Sequence, residues 1–376
     1  MTLHDELRPL IDRMLAQNAS DLILTKGQPP VLRVVGDLVP LEGRLLESEE
    51  IRQIAYSLLT EEQRRSFEQT QELDCSFGLE GIARFRINVF QQQSSVGMVI
   101  RMLPHQIPTL ESLGVPEIVR RWLMVPHGII VTTGPTGSGK STSQAAMIGL
   151  LNQRKRYHVV TIEDPIEYTH PHGTCTIEQR EVGRDTQSFP EALRRVFRQS
   201  PDVIMIGEMR DKETFETALQ LAETGHLVLA TLHTGDTTQS ISRIIDVFPP
   251  EQHQQIRVQL SLTLIGVIAQ QLVPQVDGKG RILATEVLEA NAAVRNLIRK
   301  NEVQQIYSIL QTSAGEEMTT MNASLVRLFQ EGKISKEQAM LFTTRQKELE
   351  QLIAREPRLP KFSGERAGQF AGAVHA

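Results

Sequence analysis

The sequence predicts an α/β protein in which a small α+β domain precedes a parallel-sheet domain with a helical C-terminal part. Three observations predict it. The loop Gly134-Pro135-Thr136-Gly137-Ser138-Gly139-Lys140-Ser141, followed by Thr142 as a further phosphate-side candidate, fits the pattern G-x-x-x-x-G-K-[ST]. It sits between the β-branched run Ile129-Ile130-Val131 and a helical segment, Ser143 to Leu151, which is the context a phosphate-binding loop needs. From about residue 110, apolar runs alternate with helical segments, as in a parallel sheet. Before residue 104 strand-like segments alternate with period two, Phe85, Ile87 and Val89 against Arg84, Arg86 and Asn88.

Taken in order, residues 1–18 read as an amphipathic helix, with Pro9 arguing for a kink or a later start. Strands follow at Leu22–Leu24 and Val31–Val35, around the turn Gly27-Gln28-Pro29-Pro30. Ser48 to Leu59 reads as a helix with Ser48 as N-cap, and Thr60 to Gln69 as a second opening on a Thr60–Gln63 capping box. Ala83–Phe90 and Val96–Met102 read as strands. The first domain is thus expected over 1–104, a linker over 105–114 and the second domain over 115–355. Its expected strands are Gly128–Thr133, Val159–Glu163, Val203–Gly207 and Leu227–Thr231. After Pro249-Pro250 the pattern turns mainly helical. Gly278-Lys279-Gly280 marks a hairpin turn between Gln270–Pro274 and Arg281–Val287. Val258 to Val273 reads as a buried helix, too short and too polar for a membrane span. Residues 356–376 show no periodicity and are expected to be a disordered tail.

The formal net charge of −5 and an aromatic content of 5% give little support to a nucleic-acid translocase, the least favoured alternative reading. Two cysteines, Cys75 and Cys175, cannot build a disulfide scaffold or a four-thiolate zinc site. The first residues carry no basic-then-apolar signal pattern. The expected location is cytoplasmic, with any membrane role exercised through a partner and no direct insertion.

The chemistry gathers where strands end, as ligands do in parallel sheets. Gly134, Gly137 and Gly139 let amide groups approach phosphate oxygens, and the following helix points its free N–H groups at the same anion. Lys140 adds charge near the β and γ phosphates, and Ser141 offers a hydroxyl to Mg²⁺. Val159–Ile162 runs into Glu163-Asp164-Pro165-Ile166-Glu167, three carboxylates suited to Mg²⁺ coordination and to orienting water. Val203–Ile206 ends in Gly207-Glu208, where an aspartate is usual in such ATPases; a glutamate suits contact with Mg²⁺ through water. His226 and His233 bracket a strand from opposite ends, so they cannot share one metal. His233 stands at the phosphate side. Arg84, Arg86 and Arg101 read equally as a solvated strand face or as arginines completing a nucleotide site from a neighbouring subunit.

These segments resemble the type IV pilus retraction ATPases, the PilT/PilU branch of the secretion-superfamily ATPases, over about residues 1–350. The resemblance is carried by Ser20-Asp21-Leu22, Arg84–Phe90, the Gly134–Ser141 loop, Thr161–Tyr168, Pro201–Arg210, Ala222–Leu227 and Thr231–Thr234. It implies a PAS-like α+β N-terminal domain followed by a RecA-like P-loop ATPase domain, assembled as a hexamer with ATP and Mg²⁺. By position, Glu167 would be the catalytic acid that orients water and Glu208 the second-motif glutamate. His226 and His233 would be the histidine-motif pair. Arg86 and Arg101, before Arg84, would reach the γ-phosphate, and Ser141, Glu163 and Glu208 would serve the metal. Ala293–Ile298 is similar to a segment that retraction ATPases need. Val294–Ile298 is PilT-like, whereas Val96–Val99 and Gln199–Ile206 are closer to PilU. The implied partners are a membrane platform protein of the pilus machine, which would place the chain peripherally at the inner membrane, and a paralogous retraction ATPase. The alternative to a motor is an accessory ATP-binding ring subunit that supports such a paralogue.

Overall fold

A computed structural model describes residues 5–34, 36–79, 83–103, 106–278, 280–312 and 317–355. The first elements are α1 (Leu7–Ala16), β1 (Asp21–Leu24), β2 (Val31–Val34), β3 (Asp37–Pro40), α2 (Ser48–Leu58), α3 (Glu61–Thr70), β4 (Glu72–Leu79), β5 (Ala83–Gln92) and β6 (Ser95–Leu103). Next are α4 (Leu110–Leu113), α5 (Ile118–Trp122), β7 (Gly128–Thr133), α6 (Lys140–Arg154), β8 (His158–Glu163), β9 (Thr176–Glu181), α7 (Phe189–Val196), β10 (Val203–Ile206), α8 (Lys212–Glu223) and β11 (Leu227–Thr231). The remainder is α9 (Thr237–Asp246), α10 (His253–Thr263), β12 (Leu264–Pro274), β13 (Arg281–Glu289), α11 (Ala292–Arg299), α12 (Ile306–Thr312), α13 (Met321–Gln330), α14 (Lys336–Phe342) and α15 (Gln346–Arg355). Two compact units emerge: Met1–Leu110 with Ser141–Ala230, and Glu111–Lys140 with Thr231–Ala376.

The first unit holds an antiparallel sheet in the order β3-β2-β1-β6-β5-β4. Along β5 burial alternates strictly, with Phe85, Ile87 and Val89 inside. They join Leu7, Ile11 and Met14 of α1 and Ile51 and Ile54 of α2 in one core. Burying a side chain of this size contributes about 1.5–3 kcal/mol. Because α1 starts at Leu7, Pro9 falls in its first turn, where a missing N–H leaves no bond unmade. The expected helix over 1–18 is accordingly shorter. Thr60 and Gln63 form the expected capping box, with Gln63 N–H on Thr60 Oγ1 at 3.2 Å and Thr60 N–H on Gln63 Oε1 at 3.0 Å. Ser48 is not the N-cap of α2; Glu47 is, and Ser48 is the first helical residue. Strands β3 and β4 were not expected: one is exposed throughout and the other is rich in polar residues.

The same unit holds four parallel strands in the order β11-β10-β8-β9, in register Val203 with Leu227 and with Val159, and Glu163 with Glu181. β10 and β11 are buried at every position, as strands covered on both faces must be. In the second unit β12 pairs parallel with β7 and antiparallel with β13.

The stretch Val258–Val273 is not a buried helix. It is the end of α10 followed by β12. Ile265, Val267 and Ile268 favour a strand. Gly266 lets the strand press against Trp122, since a Cβ there would fall 2.3 Å from the indole ring. The expected hairpin around Gly278 is present, with both strands longer than expected. The tail expected over 356–376 lies outside the described residues, as do Pro104 and His105 of the expected linker. Among the described residues no helix is long and apolar enough to cross a membrane.

Candidate active site

In the second unit, β7 is buried throughout and releases the chain into the glycine loop. Gly134 sits at φ +142°, where a Cβ would fall 2.4 Å from the Gln270 carbonyl oxygen. Gly137 and Gly139 have φ of +77° and +90°, which also favour glycine. Lys140 is buried and curls back, its Nζ donating to the carbonyls of Gly134 at 2.7 Å and Pro135 at 3.0 Å. Ser138 Oγ is buried with no protein partner. A cradle closed to side chains, a buried cation and an unpaired hydroxyl suit a phosphate.

The end of β7 is tied to the segment that carries His233. Leu232 N–H reaches Thr132 O at 3.0 Å, and Thr133 Oγ1 meets Thr234 O at 2.8 Å and Thr234 Oγ1 at 2.7 Å. His233 is exposed beside the loop's first residues. One buried carboxylate, Glu286, holds the starts of two helices here. Its oxygens accept from Thr237 N–H at 3.0 Å and Oγ1 at 2.8 Å in α9, and from Met321 N–H at 3.3 Å in α13.

In the first unit, the acidic residues stand at or just after the carboxyl ends of β8 and β10, and among the described residues no three of them stand close enough to hold a metal ion. Glu163 is buried, accepting from Thr161 Oγ1 at 2.6 Å and Gln179 Nε2 at 3.0 Å. Burial pushes its carboxyl up to about 7. Gly207 N–H bonds Ile162 O at 2.8 Å, and a Cβ on Gly207 would lie 3.3 Å from Glu163 Cα. The glycine that precedes Glu208 therefore permits close strand packing and sets Glu208 beside the end of β8. Glu208 pairs with Arg210 at 2.7 Å. Glu167 is half-buried in the turn after β8. Its neighbour Tyr168 shares a hydrogen bond of 3.0 Å with Thr142 Oγ1 in the first turn of α6, where Ser141 is exposed. Ser141, Thr142, Glu163, Glu167 and Glu208 thus share one end of the parallel strands.

His226 does not join them. It precedes β11, at the opposite end from His233; its Nδ1 lies 3.0 Å from Leu221 O and its ring packs edge-on against Phe197. The arginines of the first sheet form a row across the strands. Arg86 of β5 faces Arg101 of β6, which faces Asp21 of β1, which faces Arg33 of β2. Buried Asp21 accepts from Arg101 Nε at 2.7 Å and pairs with Arg33 at 3.5 Å. Arg86 pairs with Asp74 at 3.4 Å and stays partly exposed.

Beyond the turn, buried His170 donates its backbone N–H to Gln179 Oε1 at 2.8 Å. Burial pushes its imidazole down to about 4. The folded state then binds fewer protons than the unfolded state between pH 6.5 and 4. Its stability contribution is complete above pH 6.5 and is lost as pH falls toward 4, by at most about 3 kcal/mol. His170→Gln is expected to flatten the acid limb of a urea-unfolding series over that window; an unchanged limb would place the acid sensitivity elsewhere.

The pattern of the family described as "Type II/IV secretion system protein" matches residues 60–341. The chain is 46% identical over 323 residues to the type IV pilus retractation ATPase PilT of Pseudomonas aeruginosa, covering 86% of this chain and 94% of that protein. The chain belongs to the PilT/PilU branch of the type II/IV secretion ATPases. It is 44% identical over 335 residues to the type IV pilus ATPase PilU of the same organism, covering 89% and 88% of the two chains. A crystal structure of the pilus retraction motor PilT with bound ADP superposes with a TM-score of 0.85 at 47% identity, over 91% of this chain and 98% of that one. The chain thus joins an N-terminal α+β part to an α/β ATPase part. One residue of consequence went unnoticed in the sequence: Glu181, which closes a short polar strand, β9, that was not expected.

Proposed function

We propose that the chain is a motor ATPase that hydrolyses ATP to drive type IV pilus retraction, working as a ring of six copies. The observation that carries this reading is the likeness to PilT along 94% of that protein's length. Residues 1–104 form the PAS-like domain in this reading, 105–114 the linker and 115–355 the RecA-like ATPase domain. Gly134 to Thr142 cradle the phosphates, with Lys140 turning its ammonium from the loop carbonyls toward the β and γ oxygens. Glu167 orients the attacking water. Ser141 and, through water, Glu208 supply hard oxygen donors of the kind Mg²⁺ takes, and the ion would screen the phosphate charge. Glu163, one of whose oxygens accepts from Thr161 and Gln179, is the further metal-side carboxylate of this reading. His233 reads the γ-phosphate. His226 sets the start of β11, and Arg86 and Arg101 serve the site of a neighbouring subunit. The ring acts on a platform protein at the inner membrane, from the cytoplasmic side.

Deleting the gene in its host is expected to leave cells with excess pili and no twitching; loss of pili would overturn the retraction reading. The comparable likeness to PilU supports a second reading, an accessory ring subunit for a paralogous motor. ATP turnover by the purified wild-type chain separates the two, since negligible turnover favours the accessory role.

A further inference from the structure

The carboxylate of Glu181 is nearly inaccessible, its side chain 5% exposed. Three donors converge on it: Ser76 Oγ at 2.8 Å from both oxygens, the backbone N–H of Ile166 at 3.1 Å, and Nη2 of Arg84. Arg84 does more than neutralise the charge. Its Nε donates to the carbonyl of Ile166 at 3.1 Å, and its Nη2 also reaches Ser76 Oγ at 2.7 Å. Ile166 is therefore held at both its N–H and its C=O, one residue before Glu167. Ser76 and Arg84 come from the paired strands β4 and β5 of the antiparallel sheet. Glu181 ends β9, opposite Glu163 in the register with β8. Charge-assisted bonds around a desolvated carboxylate are short and directional, and hold a backbone more tightly than neutral ones.

We propose that Arg84 and Glu181 are positioning residues: half-buried Arg84 and buried Glu181 together clamp the peptide at Ile166 and so fix the direction in which Glu167 points at its water. This rests on the reading of Glu167 as the water-orienting carboxylate. It separates Arg84 from Arg86 and Arg101. Arg84 is committed to a carbonyl and a carboxylate of its own chain, while the other two stand more exposed in the arginine row. A displacement of about 1 Å at a reacting group can lower a rate on the order of 100-fold, so a peptide held at both polar atoms matters to turnover without touching nucleotide.

The test uses the full chain with steady-state ATP kinetics, fluorescent-ADP binding, thermal melting and hydrogen exchange of a peptide covering residues 164–170. Glu181→Gln keeps acceptors for Ser76 and Ile166 but loses the charge that holds Arg84. Arg84→Lys keeps charge but cannot bond both groups; it stands in for Arg84→Ala, which leaves a buried carboxylate unpaired and can fail to fold. Each single variant is expected to lower kcat by roughly tenfold, with KM and ADP affinity within about twofold of wild type. The double variant is expected to be no slower than the worse single one. Exchange in the 164–170 peptide should rise in every variant. A KM raised tenfold at constant kcat would make Arg84 a nucleotide ligand and overturn the proposal. So would independent multiplication of the two effects, or unchanged kcat and exchange in an active protein. A wild-type chain with no turnover would instead sink the motor reading, and the exchange measurement would still decide the clamp.

Discussion

Lys140→Ala is expected to abolish measurable ATP turnover and to weaken nucleotide binding by roughly 10- to 100-fold. The argument starts from burial. A lysine that is 8% exposed keeps its charge only where acceptors surround the ammonium, and here two loop carbonyls do so at 2.7 and 3.0 Å. A hydrogen bond to a charged group contributes about 1.5–3 kcal/mol, and the affinity range above is that energy expressed as a ratio. The loss of rate is larger than the loss of affinity, because negative charge on the transferring phosphoryl group is offset by fixed cations in a site that excludes water. The alanine variant should melt within a few degrees of wild type, since the glycine angles and the Thr133–Thr234 hydrogen bonds do not depend on Lys140. Binding of a fluorescent ATP analogue, phosphate release and a thermal melt check this. Turnover above about a tenth of wild type would mean that another cation carries the role.

How much of this was legible in the sequence depends on how local each feature is. The phosphate loop was readable because its glycines, lysine and serine act through their own backbone and the helix they begin. The capping box at Thr60 was readable for the same reason. The split of Val258–Val273 into a helix and a strand was not. An apolar run carries no period that separates the two, and what decides it is the indole of Trp122 lying against Gly266, far away in the chain. Gly207 looked like half of an unusual second motif. Its physical reason, the approach to Glu163 Cα, needs the register of β10 on β8. Glu181 was invisible because its partner Arg84 lies 97 residues away and both stood in segments that read as ordinary polar strand or loop. The arginine row shows the same limit from the other side. Arg86 and Arg101 were noticed as charges, but their ordering around Asp21 is set by cross-strand register.

Glu167→Gln is expected to lower kcat by about 100- to 1000-fold while leaving ATP affinity within a few-fold of wild type. The substitution preserves size and one acceptor, so Ile166, Tyr168 and the bond from Tyr168 to Thr142 can stay in place. In the proposed reading, what it removes is the carboxylate that orients the attacking water, and that loss acts on the rate and not on the ground-state complex. Glu208→Gln is the informative companion. Glu208 is paired with Arg210 at 2.7 Å, so its amide loses a charge that balances Arg210 and, in the reading above, a water-mediated hold on Mg²⁺. That variant should also bind ATP and hydrolyse it slowly, but its rate should respond to Mg²⁺ concentration, whereas that of Glu167→Gln should not. Phosphate-release assays across a Mg²⁺ titration separate the two carboxylates. If Glu167→Gln turns over at the wild-type rate, or if its defect is relieved by added Mg²⁺, the water is oriented by another group and Glu208 is the residue to which the role passes.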